Sequence, residues 1–308
     1  MRPALKGLAL GMLLLGAAVP ALARYSHYDQ GRYLLGQGKV DDAIQELRQS
    51  LAIDPKDPAV HQVLGQALER QGDKAQAIQE WQKALDLSSD DAQSYGAGPD
   101  GKPRPQAWVA DAMEARRAAR ASLLAALQAQ AEDALAAQRW EDAAASYRQA
   151  AAADPSQAPL WRGLGLSLRR GQHADAALEA YDHAASLDPA DAGTQRARGY
   201  LNFQRGDNPK AVDAFAKYTQ LKPTDAVGFN NLGAALALSG RYDEAKQSFQ
   251  RALDLDPGLA TARNGLGASL YYTGDFARAR QAWSAVLESQ PENPSAKEDI
   301  RTLTQMGY

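Results

Sequence analysis

The chain has 308 residues, a formal net charge of -3 and no cysteine. The missing thiols exclude disulfides, thiolate metal sites and cysteine nucleophiles, and the slightly negative charge argues against nucleic acid as a partner. Aromatic residues make up only 7% of the chain while alanine is abundant, the composition of an all-helical protein with close helix contacts. At the N-terminus Arg2 and Lys6 precede an apolar run from Leu8 to Val19 and then Ala21-Leu22-Ala23. That is the order of a secretory signal peptide. The run is shorter than the roughly 20 residues of a membrane span, so the expectation is a signal over 1–23, removed after Ala23, with no transmembrane anchor left behind. No cysteine follows it to carry a lipid. In a bacterium such a chain is expected in the periplasm.

Two units of similar pattern follow over 24–91. The first runs from Arg24 to Asp57 with Gly31, Leu34, Ala43, Leu47 and Pro55 in register; the second runs from Pro58 to Asp91 with Leu64-Gly65, Leu68, Ala77, Trp81 and Ala84. The pattern breaks over 92–123. Gly and Pro crowd the stretch from Tyr95 to Pro105, which marks an irregular linker. From Gln106 neither residue appears again until Pro155, and strong helix formers dominate. A connecting helix from Gln106 to Gln138, roughly 48 Å long, is expected to end as the first helix of the next unit.

Five units then occupy 124–293, starting near Leu124, Ala158, Ala192, Ala226 and Ala260. Pro189, Pro223, Pro257 and Pro291 recur every 34 residues, and Ala177, Ala211, Ala245 and Ala279 keep step with them. Within each unit apolar residues fall three or four apart, as on one stripe of an α-helix. The stripe breaks once, at Gly38, Gly72, Gly206, Gly240 or Gly274, where a helix end favours positive φ. The second stripe ends before a proline, which disfavours helix in the residue preceding it. Two short antiparallel helices result, and one pair alone cannot bury its stripe, so the units must stack. In the fifth unit Gln195, Arg198 and Asn202 take places that its neighbours fill with apolar groups; either that helix rotates or its seam is polar. Over 294–308 Ala296, Ile300, Leu303 and Met306 form one stripe, as on a capping helix.

The unit read as Trp161, Leu164-Gly165, Leu168, Ala177, Tyr181, Ala184, Pro189, and again as Phe229, Leu232-Gly233, Leu236, Ala245, Phe249, Ala252, Pro257, resembles the tetratricopeptide repeat (TPR) family. The resemblance implies an all-α solenoid of stacked helix-turn-helix units forming a right-handed superhelix, whose first helices line a concave face where extended peptides or partner helices dock. By register that face carries Tyr28, Arg32, Gln62 and Gln66, then Arg162, Arg169, Arg196, Tyr200, Phe203, Asn230, Asn231, Asn264, Tyr271 and Tyr272. First helices of units four to seven carry seven arginines and no acid. Guanidinium forks grip carboxylates, amides bond a peptide backbone and rings supply area. The function expected is therefore a non-enzymatic scaffold or adaptor of the bacterial cell envelope that docks acidic or extended segments of a partner protein. Some relatives clamp a C-terminal carboxylate with Lys, Asn and Arg; here Lys is missing from that position, and only Asn231 and Asn264 fit an asparagine ladder. A small-ligand or glycan module using the same rings is the alternative. His27, His61, His173 and His183 lack the spacing of a helical metal site, so no metal, catalytic residue or cofactor is expected.

Overall fold

The computed structural model describes residues 26–88 and 106–308. The signal expected over 1–23 and the linker expected over 92–105 lie outside the described residues. Fifteen α-helices and no strand occur among those described. The chain divides into two compact units, residues 1–155 and 156–308.

In the first unit α1 (residues 26–36) pairs with α2 (Val40–Ile53), α3 (Pro58–Gln71) with α4 (Lys74–Asp86), and α5 (Gln106–Ala136) with α6 (Trp140–Ala153). In the second, α7 (Ala158–Arg170) pairs with α8 (Ala174–Leu187), α9 (Ala192–Gln204) with α10 (Asn208–Leu221), α11 (Ala226–Leu238) with α12 (Tyr242–Leu255), and α13 (Ala260–Tyr272) with α14 (Phe276–Ser289). The last helix, α15 (Pro294–Gln305), follows.

One turn chemistry closes every hairpin. The chain leaves each first helix through a left-handed residue, such as Gly72 (φ 96°) or Gly240 (φ 75°). The following amide reaches back to a carbonyl five residues earlier, as in Asp73 N to Leu68 O (2.9 Å) and Arg241 N to Leu236 O (2.9 Å). This bond satisfies a helix-end carbonyl that would otherwise lack a partner. Aspartates then start many of the helices: Asp57, Asp73, Asp191, Asp207, Asp225 and Asp275 each accept a backbone N–H of the first turn, where a carboxylate also meets the positive end of the helix dipole.

Packing follows from small residues set against rings. A Cβ added at Gly233 would lie 2.8 Å from the Phe249 ring, and one at Gly165 would lie 3.0 Å from Tyr181, so only glycine admits the aromatic of the second helix. Within each unit the second helix of one hairpin packs on the first helix of the next. Phe215 and Phe249 thereby share one core with Val212, Leu236 and Ala262. Leu303 and Ala296 of α15 close the end of the second unit over Leu270, Trp283 and Val286.

The fifth repeat keeps its polar seam. Gln195 and Asn202 are fully buried, and each is satisfied: Gln195 donates to Pro189 O (3.1 Å) and accepts from Arg198 (3.0 Å), while Asn202 donates to Arg198 O (3.0 Å). Burial without such partners would cost about 1–3 kcal/mol per group. The helix has not rotated; the seam is locally polar.

Candidate functional site

The first helices of the second unit bring one register position to a common face. Arg162 and Arg196 are exposed there, and Asn230 and Asn264 are half-buried. Arg162 reaches Asp191 at 3.4 Å. Burial alone would raise the Asp191 carboxyl, but hydrogen bonds from Thr194 and the Arg162 charge hold it below its ordinary value. Arg196 has no carboxylate partner among the described residues; its guanidinium lies 5.9 Å from the centre of the Tyr218 ring. Burial and a 2.5 Å hydrogen bond to Asp225 raise the Tyr218 phenol above its ordinary value. Arg169 is exposed at the end of α7, beside the buried Tyr181, whose phenol burial also raises.

Tyr200, Asn230 and Asn231 come together. Asn231 Nδ2 donates to the Tyr200 hydroxyl at 2.6 Å and Asn230 Nδ2 faces Asn231 Oδ1 at 3.5 Å. Tyr200 also meets the Phe215 ring edge-on at 5.4 Å. The Asn264 Oδ1 is buried without a hydrogen-bond partner among the described residues. Phe203 packs against the Phe215–Phe249 core, and Tyr271 packs against the Leu270–Trp283 core with its hydroxyl 3.5 Å from Met306 Sδ. Tyr272 is 63% exposed and stacks on Tyr242 at 4.6 Å.

In the first unit the equivalent face is closed at the start of α3. Gln62, in register with Arg162 and Arg196, is 7% exposed, and Ala59 and Val63 beside it are buried as well. Tyr28 is half-buried, with Arg32 over its ring at 5.5 Å. Gln62 therefore does not line an open groove, as its register had suggested. His61 is also buried, held between Glu80 (2.6 Å) and the Pro55 carbonyl (3.0 Å). Among the described residues no group of three or more His, Asp or Glu side chains could hold a metal ion, and no helix is long and apolar enough to cross a membrane.

Tetratricopeptide repeat profiles match residues 28–92, 128–192, 164–226, 226–259 and 264–299. The chain belongs to the tetratricopeptide repeat family. No curated protein matches it. Among solved structures it is similar to MamA (TM-score 0.51, 20% identity, covering 55% of this chain and 92% of that one). It is also similar to MamA from Desulfovibrio magneticus RS-1 (0.50, 18%, 56% and 97%) and to MamA AMB-1 (0.51, 21%, 55% and 92%). At these identities the likeness is one of fold. The TPR repeats make this chain a protein-interaction scaffold.

Sequence reasoning missed the acids that answer the TPR arginines. Arg198 meets Asp182 at 2.6 Å and Arg205 meets Asp175 at 2.8 Å, both on α8. With Arg162 and Asp191, at least three of the seven first-helix arginines are thus paired. The 34-residue period was the available signal, because it places α8 acids opposite α9 bases. It also missed Tyr242, whose partner Tyr272 lies one repeat further on.

Proposed function

We propose that this TPR protein is exported to the bacterial cell envelope, its signal removed after Ala23, and that it docks a partner protein on the open first-helix face of its second unit. The observation that carries this reading is the shared register of exposed Arg162 and Arg196 and half-buried Asn230 and Asn264 on successive first helices. A carboxylate of the partner would meet Arg196 and Arg169, which have no salt bridge among the described residues. The Tyr200–Asn231 pair would bond an extended backbone. Arg162 contributes less, because Asp191 already neutralises it. The protein would work without catalysis, metal or cofactor.

The test is retention from a cell-envelope extract by the immobilised chain beginning at Arg24. A protein held by the unaltered chain and lost by Arg169→Glu/Arg196→Glu, with helicity and melting unchanged, is the expected result. Equal retention by both chains would remove the face from consideration. A second reading, binding of a neutral glycan, draws on the exposed Tyr272 ring stacked on Tyr242. A thermal shift with oligosaccharides and none with acidic peptides would favour it.

A further inference from the structure

The face that the second unit leaves open is covered in the first, and the cover belongs to the same chain. Helix α5 has 31 residues, more than twice the length of the other first helices. Its second half does what a first helix does: it runs into the turn to α6, on which α5 packs, and Leu123, Leu127, Ala131 and Ala134 are buried along it. The first half is extra. It continues the buried stripe backwards through Ala119, Ala115, Ala112 and Trp108, and α5 packs on α3 as well as on α4 and α6.

Two ties locate this first half. Arg116 donates to the carbonyls of Leu85 (2.7 Å) and Ser88 (2.9 Å) at the end of α4. Asp111 lies near enough to Tyr28 of α1 for its charge, after burial, to help raise the phenol, with Asp57 and Asp29 acting alike and Arg32 opposing. Residues 106–120 therefore lie against the end of α4 and the start of α3, on the side of α1 that carries Tyr28. There α3 is buried on every side from Pro58 to Gly65, whereas Pro159, Gly193, Val227 and Thr261 of the second unit are exposed at the place that Ala59 holds here.

We infer that residues 106–120 are a ligand held in cis: the α1–α3 face is a second docking site, made for an alanine-rich helix with one indole anchor, and the chain fills it with its own. The small residues let two helices approach closely, and Trp108, 6% exposed, is the one large side chain of the segment's buried stripe. Attachment through one chain gives the segment a high effective concentration, so an outside helix of the same chemistry competes only when the segment frays. Fraying starts at Gln106 and needs no hinge, because α6 holds α5 from Leu123 onward.

The experiment uses the full chain from Arg24 and a labelled synthetic peptide with the sequence of residues 106–121. Fluorescence anisotropy should show the peptide binding a Trp108→Ala/Ala112→Asp chain at least tenfold more tightly than the unaltered chain. A peptide carrying the Trp108→Ala change should not bind. Equal affinity for both chains, or no binding to an altered chain that keeps its native melt, overturns the inference. Hydrogen exchange on the unaltered chain decides the matter even if the altered one misfolds. Excess peptide should speed exchange over 108–119 by at least tenfold and leave 123–134 unchanged; no change over 108–119 overturns the inference. Arg169→Glu/Arg196→Glu should not affect peptide binding, which separates this site from the face proposed above.

Discussion

At Gln138 and Gln172 the backbone takes φ of 58° and 66°, in the turn where five other repeats place glycine. A side chain in that region costs roughly 1–2 kcal/mol, partly offset by the smaller backbone entropy that glutamine loses on folding. Gln138→Gly and Gln172→Gly are therefore expected to stabilise the protein by about 0.5–1 kcal/mol each, read as a higher urea midpoint with unchanged slope. A lower midpoint would mean that the glutamine side chains hold the turns by contacts that outweigh the strain. The turn itself was legible from the 34-residue period, and the two departures from glycine could be read off the same register. The ion pairs of the candidate site were harder to see. Arg162 and Asp191 are 29 residues apart and Arg198 and Asp182 are 16 apart. A list of charges on first helices cannot show which acid of a neighbouring helix answers each.

Helices were the most legible elements, since periodicity, turn glycines and prolines agree on their ends. Helix α5 marks the limit. Its pattern showed that it is long, and a periodic stripe names the buried face of a helix without naming what covers it. The first half therefore read as a connector, although it lies on α3. The last helix was clearer, because its stripe had only one neighbour available. Leu303 of α15 is fully buried against Leu270, Trp283 and Val286, so Leu303→Ala is expected to cost about 2–5 kcal/mol locally. A repeat array transmits such a loss mainly to its nearest neighbours. Hydrogen exchange should accelerate in α13, α14 and α15 and remain unchanged in α7 and α8. Equal acceleration along the unit would show that it unfolds as one cooperative block.

On the scale of the whole molecule, fold class followed from sequence while compartment and partner did not, because export and docking depend on partners outside the fold. Stability against pH belongs to this scale, since its groups are spread over both units. Burial would raise Glu80, but hydrogen bonds from His61 and Lys83 outweigh it and hold the carboxyl below its ordinary 4.5; Asp191 is likewise below 3.8. The unfolded chain binds these protons first, so their stabilisation is complete above those ordinary values and is lost as pH falls through the lower folded ones. Asp299 acts in the opposite sense, its carboxyl raised by burial and by Glu298. Tyr28, Tyr181 and Tyr218 lie above 10.0, mainly through burial. The folded chain keeps phenolic protons that the unfolded chain releases, so stability should fall again as pH rises past 10. Glu80→Gln isolates one contribution to the acid limb. It removes the anion facing His61 and Lys83, so the altered chain should melt below the unaltered one at pH 7, and the gap should close as pH falls below about 4. Melting curves from pH 3 to 7 measure that gap directly. A gap of constant size would mean that Glu80 stabilises the first unit through packing and neutral hydrogen bonds, with its charge playing no part.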